Sequence, residues 1–279
     1  MSEYQYYEFR AIDRPLSKAD REYLHSISSR AEISANSFVN HYEYGNFKGN
    51  PLKLMQRCFD LHVYYANWGS RTLMLRIDAD ALDAKAAAEY DCDSCKVHRT
   101  KEHFVIEFNF STDDYDESFN AYEYAEGEWA DRLEPVRELL QAGDLRPLYL
   151  GWLAGVQWME ESDEAEPPLP AGLKKLPKEL KALADYLGIE KRVLTEAAKL
   201  SPELAATSNK DSAKIGYGRW IAALPTEEKD HMLLQAMQGD AADIGTQLQR
   251  RFRRENPPSN SVKPLITGRT VAQILRAAK

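Results

Sequence analysis

The chain has 279 residues, of which 43% are hydrophobic and 29% charged, and a net charge of −8. This is a globular balance that can fill one large core or two ordinary ones. The longest apolar stretch, Leu148 to Met159, falls short of the roughly 18 residues that a membrane span requires; the opening MSEYQYYEF lacks the basic start and apolar run of a signal peptide; and three cysteines (Cys58, Cys92, Cys95) are too few and odd in number for a secreted disulfide framework. No membrane span is expected, and the expected location is the cytoplasm.

Period-two patterning predicts the strands of the first half. Tyr7, Phe9 and Ala11 share one face of a first strand, and Phe38, Tyr42 and Tyr44 one face of a second. Val63 to Ala66 joins the strand carrying Leu73, Leu75 and Ile77 through a turn at Asn67-Trp68-Gly69-Ser70, and Phe104, Ile106, Phe108 and Phe110 give the cleanest alternation. Helix starts are predicted at Ser17 with Asp20 three residues on, at Asn50 before Pro51, and at Asp78 before an alanine-rich run. The order approximates β-α-β-α-β-β-α-β. It implies a mixed or antiparallel sheet with helices on one side, for which ferredoxin-like packing is one arrangement.

Residues 111–131 hold eight acidic side chains, five aromatics and no basic one, too much charge for a core. Two helices follow, Pro135 to Leu140 and Leu145 to Met159, separated by Gly143. The segment 161–172, ESDEAEPPLPAG, combines negative charge with three prolines and is predicted to be an extended connection. From Leu173 onward helical spacing takes over: Leu180, Leu183, Ala184 and Leu187 on one face, then Val193, Leu194 and Ala197, then a helix capped by Thr226 with Met232, Leu233, Ala236 and Met237, and last a helix with Val271, Ile274 and Leu275. The predicted fold class is an α+β N-terminal portion followed by an all-α C-terminal portion, divided as an acidic domain at 1–160, a linker at 161–172 and a basic helical domain at 173–279. Charge supports the division, because residues 171–279 carry 19 basic and 12 acidic side chains and residues 1–170 carry 17 and 32.

Four groups of residues are candidates for chemistry or binding. Cys92, Cys95, His98 and His103 have metal-ligand types, so zinc is one reading and polar loop residues the other; only two residues separate Cys95 from His98, leaving little chain to wrap an ion. No cofactor is otherwise expected. Asp113, Asp114, Tyr115, Asp116 and Glu117, with Trp68 in its turn and Trp129 nearby, form a candidate docking surface for another protein; they do not fit a calcium loop, which needs a central glycine and a terminal glutamate. Lys210, Lys214, Arg219, Arg250, Arg251, Arg253 and Arg254 could contact phosphates of a nucleic acid, although no nucleic-acid-binding signature accompanies them, and the alternative is a solvated helix face. Trp152 and Trp158 read as core, and His62 as a structural histidine.

No nucleophile elbow, zinc-protease helix, phosphate loop or dinucleotide glycine signature is present. The phrases SEYQYYEFRAIDRPLS, VYYANWGSRTLMLR and LYLGWL resemble a bacterial family of uncharacterised proteins, which implies a bacterial origin and transfers no site residue. The leading expectation is a non-enzymatic interaction or adaptor protein. Nucleic-acid association through the basic portion is the alternative, and a metal-dependent enzyme the second.

Overall fold

The computed structural model describes residues 4–111, 125–159, 161–204, 210–237, 241–256 and 263–279; at 210–215, 241–243, 246, 250, 253 and 254 it describes the backbone alone. The chain divides into two compact units, Met1–Glu203 together with Lys263–Lys279, and Leu204–Val262. The first contains helices α1 (Lys18–Ile27), α2 (Pro51–Arg57), α3 (Ala84–Ala88), α4 (Glu128–Gln141), α5 (Arg146–Val156), α6 (Lys178–Tyr186) and α7 (Lys191–Ala198). The second contains α8 (Lys210–Ala223), α9 (Thr226–Gln235) and α10 (Ala241–Glu255), and the chain then returns to the first unit with α11 (Val271–Ala277).

The sheet of the first unit is built from β1 (Gln5–Arg10), β2 (Glu32–Ile33), β3 (Ser37–Tyr42), β4 (Leu61–Ala66), β5 (Arg71–Asp78), β6 (Cys95–Arg99) and β7 (His103–Phe110). The order is β2-β3-β1-β4-β5-β7-β6, and every neighbouring pair is antiparallel. A ferredoxin-like arrangement needs a β-α-β crossover between parallel strands, so it does not apply. The unit is α+β, as its sequence implies, but helices cover both faces. On one, Tyr6, Leu61, Val63, Leu73, Leu75, Ile106 and Phe108 share a core with apolar side chains of α4, α5, α6, α7 and α11. On the other, Phe9, Phe38, Met74 and Val105 pack with Leu24 of α1 and with Leu54 and Met55 of α2. Alternation along a strand sends neighbours to opposite faces, and two buried faces require two layers of helix.

Local chemistry sets the helix starts. The Ser17 hydroxyl accepts from Asp20 N while the Asp20 carboxylate accepts from Ser17 N, a reciprocal cap. Asn50 accepts from Lys53 N ahead of Pro51. The alanine-rich helix α3 is capped by Asp83 rather than Asp78; Asp78 ends β5, where its carboxylate accepts from Gln141 Nε2 at 2.5 Å. Strand β6 lies where the Cys-x-x-Cys reading places a loop: Cys92 and Cys95 bridge to each other and the strand leaves from there. At this outer edge of the sheet Val97 N donates to Asp91 Oδ1 at 2.8 Å. The opposite edge, β2, is two residues long.

The boundary expected at 161–172 is corrected. Ala165 bridges to Thr270 and Leu169 to Leu265, and Glu166, whose side chain is wholly buried, accepts from Arg269 at 2.7 and 2.9 Å, from the Tyr149 hydroxyl at 2.6 Å and from Thr267. Gly172 N donates to Pro202 O at 2.8 Å, and Ser201 Oγ donates to Pro170 O at 2.7 Å. An acidic, proline-rich stretch is therefore a strap, largely exposed from Glu161 to Ala165 and largely buried from Glu166 to Gly172, that receives both the chain leaving at Pro202 and the chain returning at Leu265. Residues 204–262 are an insertion into a unit that closes on itself. The elements described between Leu173 and Lys279 are helical, as expected, but they do not form a separate domain: Leu173, Leu180, Leu183, Val193, Val271 and Ile274 belong to the core beneath the sheet. The separation of charge goes with it, because the inserted unit holds eight basic and seven acidic residues.

His62 lies on β4, fully buried, its ring 3.9 Å from that of Phe9 and its Nδ1 2.9 Å from Glu8 O. Burial pushes its pKa down from 6.5 to about 4, so it is neutral near pH 7. Below pH 6.5 the unfolded chain takes up a proton at this residue that the folded chain refuses until about pH 4. Stability from this group is full above pH 6.5 and falls by ~1.4 kcal/mol per pH unit on acidification, about 3 kcal/mol in all. Urea titrations of the native chain and of His62→Gln at pH 7 and 4.5 should show the native chain losing about 2–3 kcal/mol more than the variant. Equal losses would exclude this histidine as the source.

Candidate functional site

In the inserted unit, α8 and α10 meet through aromatic rings: Phe252 lies 4.4 Å from Tyr217 and 5.5 Å from Trp220 between ring centroids. Trp220 Nε1 donates to Glu255 at 2.7 Å. Arg251 also donates to Glu255 at 2.7 Å and pairs with Glu228 of α9, so ionic contact ties α9 to α10. Those two hydrogen bonds raise the Arg251 pKa above its ordinary value. Among the described side chains of this unit only Leu224 and Ile244 are buried apolar groups.

Helix α9 buries none of its residues. Leu233 is 64% exposed, Leu234 56%, and Met237, in the turn that follows, 87%. Residues three and four apart on a helix share a face, which groups Leu233, Leu234 and Met237 with Asp230 and, one turn earlier, Glu227; neither carboxylate is buried. Ile221 on α8 is exposed as well. Contiguous exposed Leu and Met beside charged residues is the composition of a protein-binding patch.

The sheet-bearing unit carries a cleft of about 410 Å³ lined by residues that include Arg71, Thr72, Ser94, Asn109, Gly155 and Trp158. Thr72 Oγ1 donates to Asn109 at 2.9 Å, and the Arg71 guanidinium lies 4.2 Å from the centre of the Phe110 ring. Trp158, expected in the core, is 60% exposed because it falls beyond the end of α5. Trp152, on the helix itself, is buried as expected.

Cys95 and His98 are three residues apart on β6 and so face opposite sides of the sheet. Cys95 is fully buried in the core, where burial holds its thiol pKa well above the ordinary value, while His98 Nε2 lies 2.7 Å from Glu107 on the other face. Cys92 Sγ is 3.2 Å from Ser94 Oγ, and His103 sits at the start of β7 opposite Asp78. The fold thus sends Cys95 and His98 to opposite faces, and no group of three or more metal-ligating side chains forms among the described residues.

Trp68 is 40% exposed in its turn, as a docking residue requires. Trp129 is not: it is 3% exposed, its ring 4.9 Å from Tyr186 and covered by the Arg132 guanidinium at 4.2 Å. The expectation of a partner anchor at Trp129 is corrected, because α4 begins at Glu128 and turns Trp129, Leu133, Val136 and Leu140 onto one buried stripe. Asp113, Asp114, Tyr115, Asp116 and Glu117 lie outside the described residues. Of the basic candidates, Arg219 is exposed and Arg251 is ion-paired, while the side chains of Lys210, Lys214, Arg250, Arg253 and Arg254 lie outside the description. Helical spacing in the sequence assigns Leu233 and Met237 to a bundle interior, whereas both side chains are exposed.

Comparison with protein-family models, with curated proteins and with solved structures gives no match. No described helix is long and apolar enough to cross a membrane.

Proposed function

We propose that this chain is a non-enzymatic interaction protein that binds another protein through its inserted helical unit. The observation that carries the reading is α9, an entire helix without a buried residue, with Leu233 and Leu234 near its end and Met237 in the turn beyond it left in water. Exposing such a patch opposes folding of a small unit unless a partner covers it. The unit's near-neutral charge and the pairing of Arg251 with two glutamates favour a protein over a nucleic acid as that partner. Trp68 and Trp158, both exposed on the sheet-bearing unit, are candidates for further contacts.

The test is recovery of the full chain from its host under mild conditions, followed by titration of whatever co-purifies at fixed ratio. Leu233→Asp combined with Leu234→Asp should weaken that complex at least tenfold and leave the thermal transition of the sheet-bearing unit in place, because both positions are exposed. A chain that is recovered alone, or a complex indifferent to the double substitution, would overturn the reading.

A further inference from the structure

The exposed stripe on α9 has polarity along the helix axis. Glu227 and Asp230 occupy its N-terminal half, and Leu233, Leu234 and Met237 its C-terminal end; neither carboxylate is engaged in an ion pair among the described residues. From this we infer that α9 receives an antiparallel amphipathic helix of a partner protein, apolar along one face and basic in its last turns. The inference rests on the interaction reading above and specifies its partner.

Three observations select this occupant. First, a second copy of the chain fits poorly. Parallel pairing of two α9 helices sets Glu227 against Glu227 and Asp230 against Asp230, and antiparallel pairing that sets Leu233 against Leu234 puts Asp230 against Met237, so in neither of these arrangements do the carboxylates find a cation. Second, on the basic helix of this same chain, α10, Phe252 is already engaged by Tyr217 and Trp220, Ile244 is buried and Arg251 is paired with Glu228 and Glu255, so these groups are committed within one molecule. Third, lysine and arginine are favoured in the last turn of a helix, where they offset the partial negative charge of the free carbonyls; antiparallel packing brings that turn beside the acidic first half of α9. Side chains spaced three and four apart on such a helix would seat against Leu233, Leu234 and Met237 in the manner of helix-in-groove recognition.

The experiment uses the full chain and two synthetic helical peptides with the same leucine and methionine face, one ending in three lysines and the other in three glutamates. The lysine peptide should bind at least tenfold more tightly, and its advantage should shrink as salt is raised. Glu227→Lys with Asp230→Lys should invert the preference, and Leu233→Asp with Leu234→Asp should abolish binding of both peptides. Equal affinity for the two peptides, or no binding of either, overturns the proposal. So does a concentration-dependent dimer of the chain that the two leucine substitutions dissolve, because the stripe is then covered by a second copy. A native partner that is lost on leucine substitution but indifferent to the Glu227 and Asp230 reversals would leave the interaction reading standing and remove this one.

Discussion

Replacing Arg269 by methionine is expected to destabilise the sheet-bearing unit by about 3–5 kcal/mol, because it leaves the Glu166 carboxylate buried without its cation. The guanidinium donates twice to Glu166 and once to Ala197 O at 2.9 Å, so one side chain binds the strap at 161–172 both to the returning chain and to α7. The Tyr149 hydroxyl remains as a donor to Glu166, but a neutral hydrogen bond does not replace an opposing charge. Urea unfolding followed through tryptophan emission provides the measurement, since Trp152 Nε1 donates to Glu164 of the same strap at 3.2 Å. Glu166→Leu added to Arg269→Met should recover much of the loss, because two apolar side chains carry no unpaired charge. A loss under about 1 kcal/mol from Arg269→Met would mean that the strap is held by packing alone.

A comparably large effect is expected at Asp60, a wholly buried carboxylate immediately before β4. Its Oδ2 accepts from Ile12 N and Asp13 N at 2.7 and 2.9 Å, its Oδ1 accepts from Arg76 at 2.7 and 3.0 Å, and Arg137 lies 3.6 Å away. Burial pushes its pKa up, and the Arg76 and Arg137 cations with the Asp13 N–H more than reverse that, so it stays charged below the ordinary aspartate range. Asp60→Ala strands a buried guanidinium and two backbone donors together, at a loss of about 3–5 kcal/mol. Asp60→Asn keeps the shape and one acceptor and should lose less. Since the folded pKa is lowered, this carboxylate's contribution is present above the unfolded aspartate pKa and disappears as pH falls through the folded value. Stability of the native chain, but not of Asp60→Asn, should therefore carry that acid-dependent component.

What the sequence disclosed followed from how local each determinant is. Phe104, Ile106, Phe108 and Phe110 advertise β7 because burial of one face imposes a period of two, and Ser17 with Asp20 announces α1 because a cap lies within four residues. The strap misleads for the opposite reason. ESDEAEPPLPAG has the composition of a linker, but the charge that matters, Glu166, is neutralised by a residue 103 positions away, and no local window contains that pairing. Trp129 and Trp158 exchange their expected places. Acidic neighbours disguise Trp129, although its spacing to Leu133, Val136 and Leu140 is visible in the sequence; Trp158 sits in an apolar run whose helix in fact ends at Val156. The candidate site is legible only as a set of apolar residues on one helix. Their exposure depends on no described helix facing them, which is a property of the whole inserted unit.

The Asp91 carboxylate that takes the outward N–H of Val97 has a consequence for the behaviour of this protein in a crowded solution. An uncapped outer strand invites the backbone of another molecule, and repetition of that event yields fibrils. Here one flank is blocked by a side-chain oxygen and the other is too brief to template anything. Runaway polymerisation through the sheet is thereby discouraged.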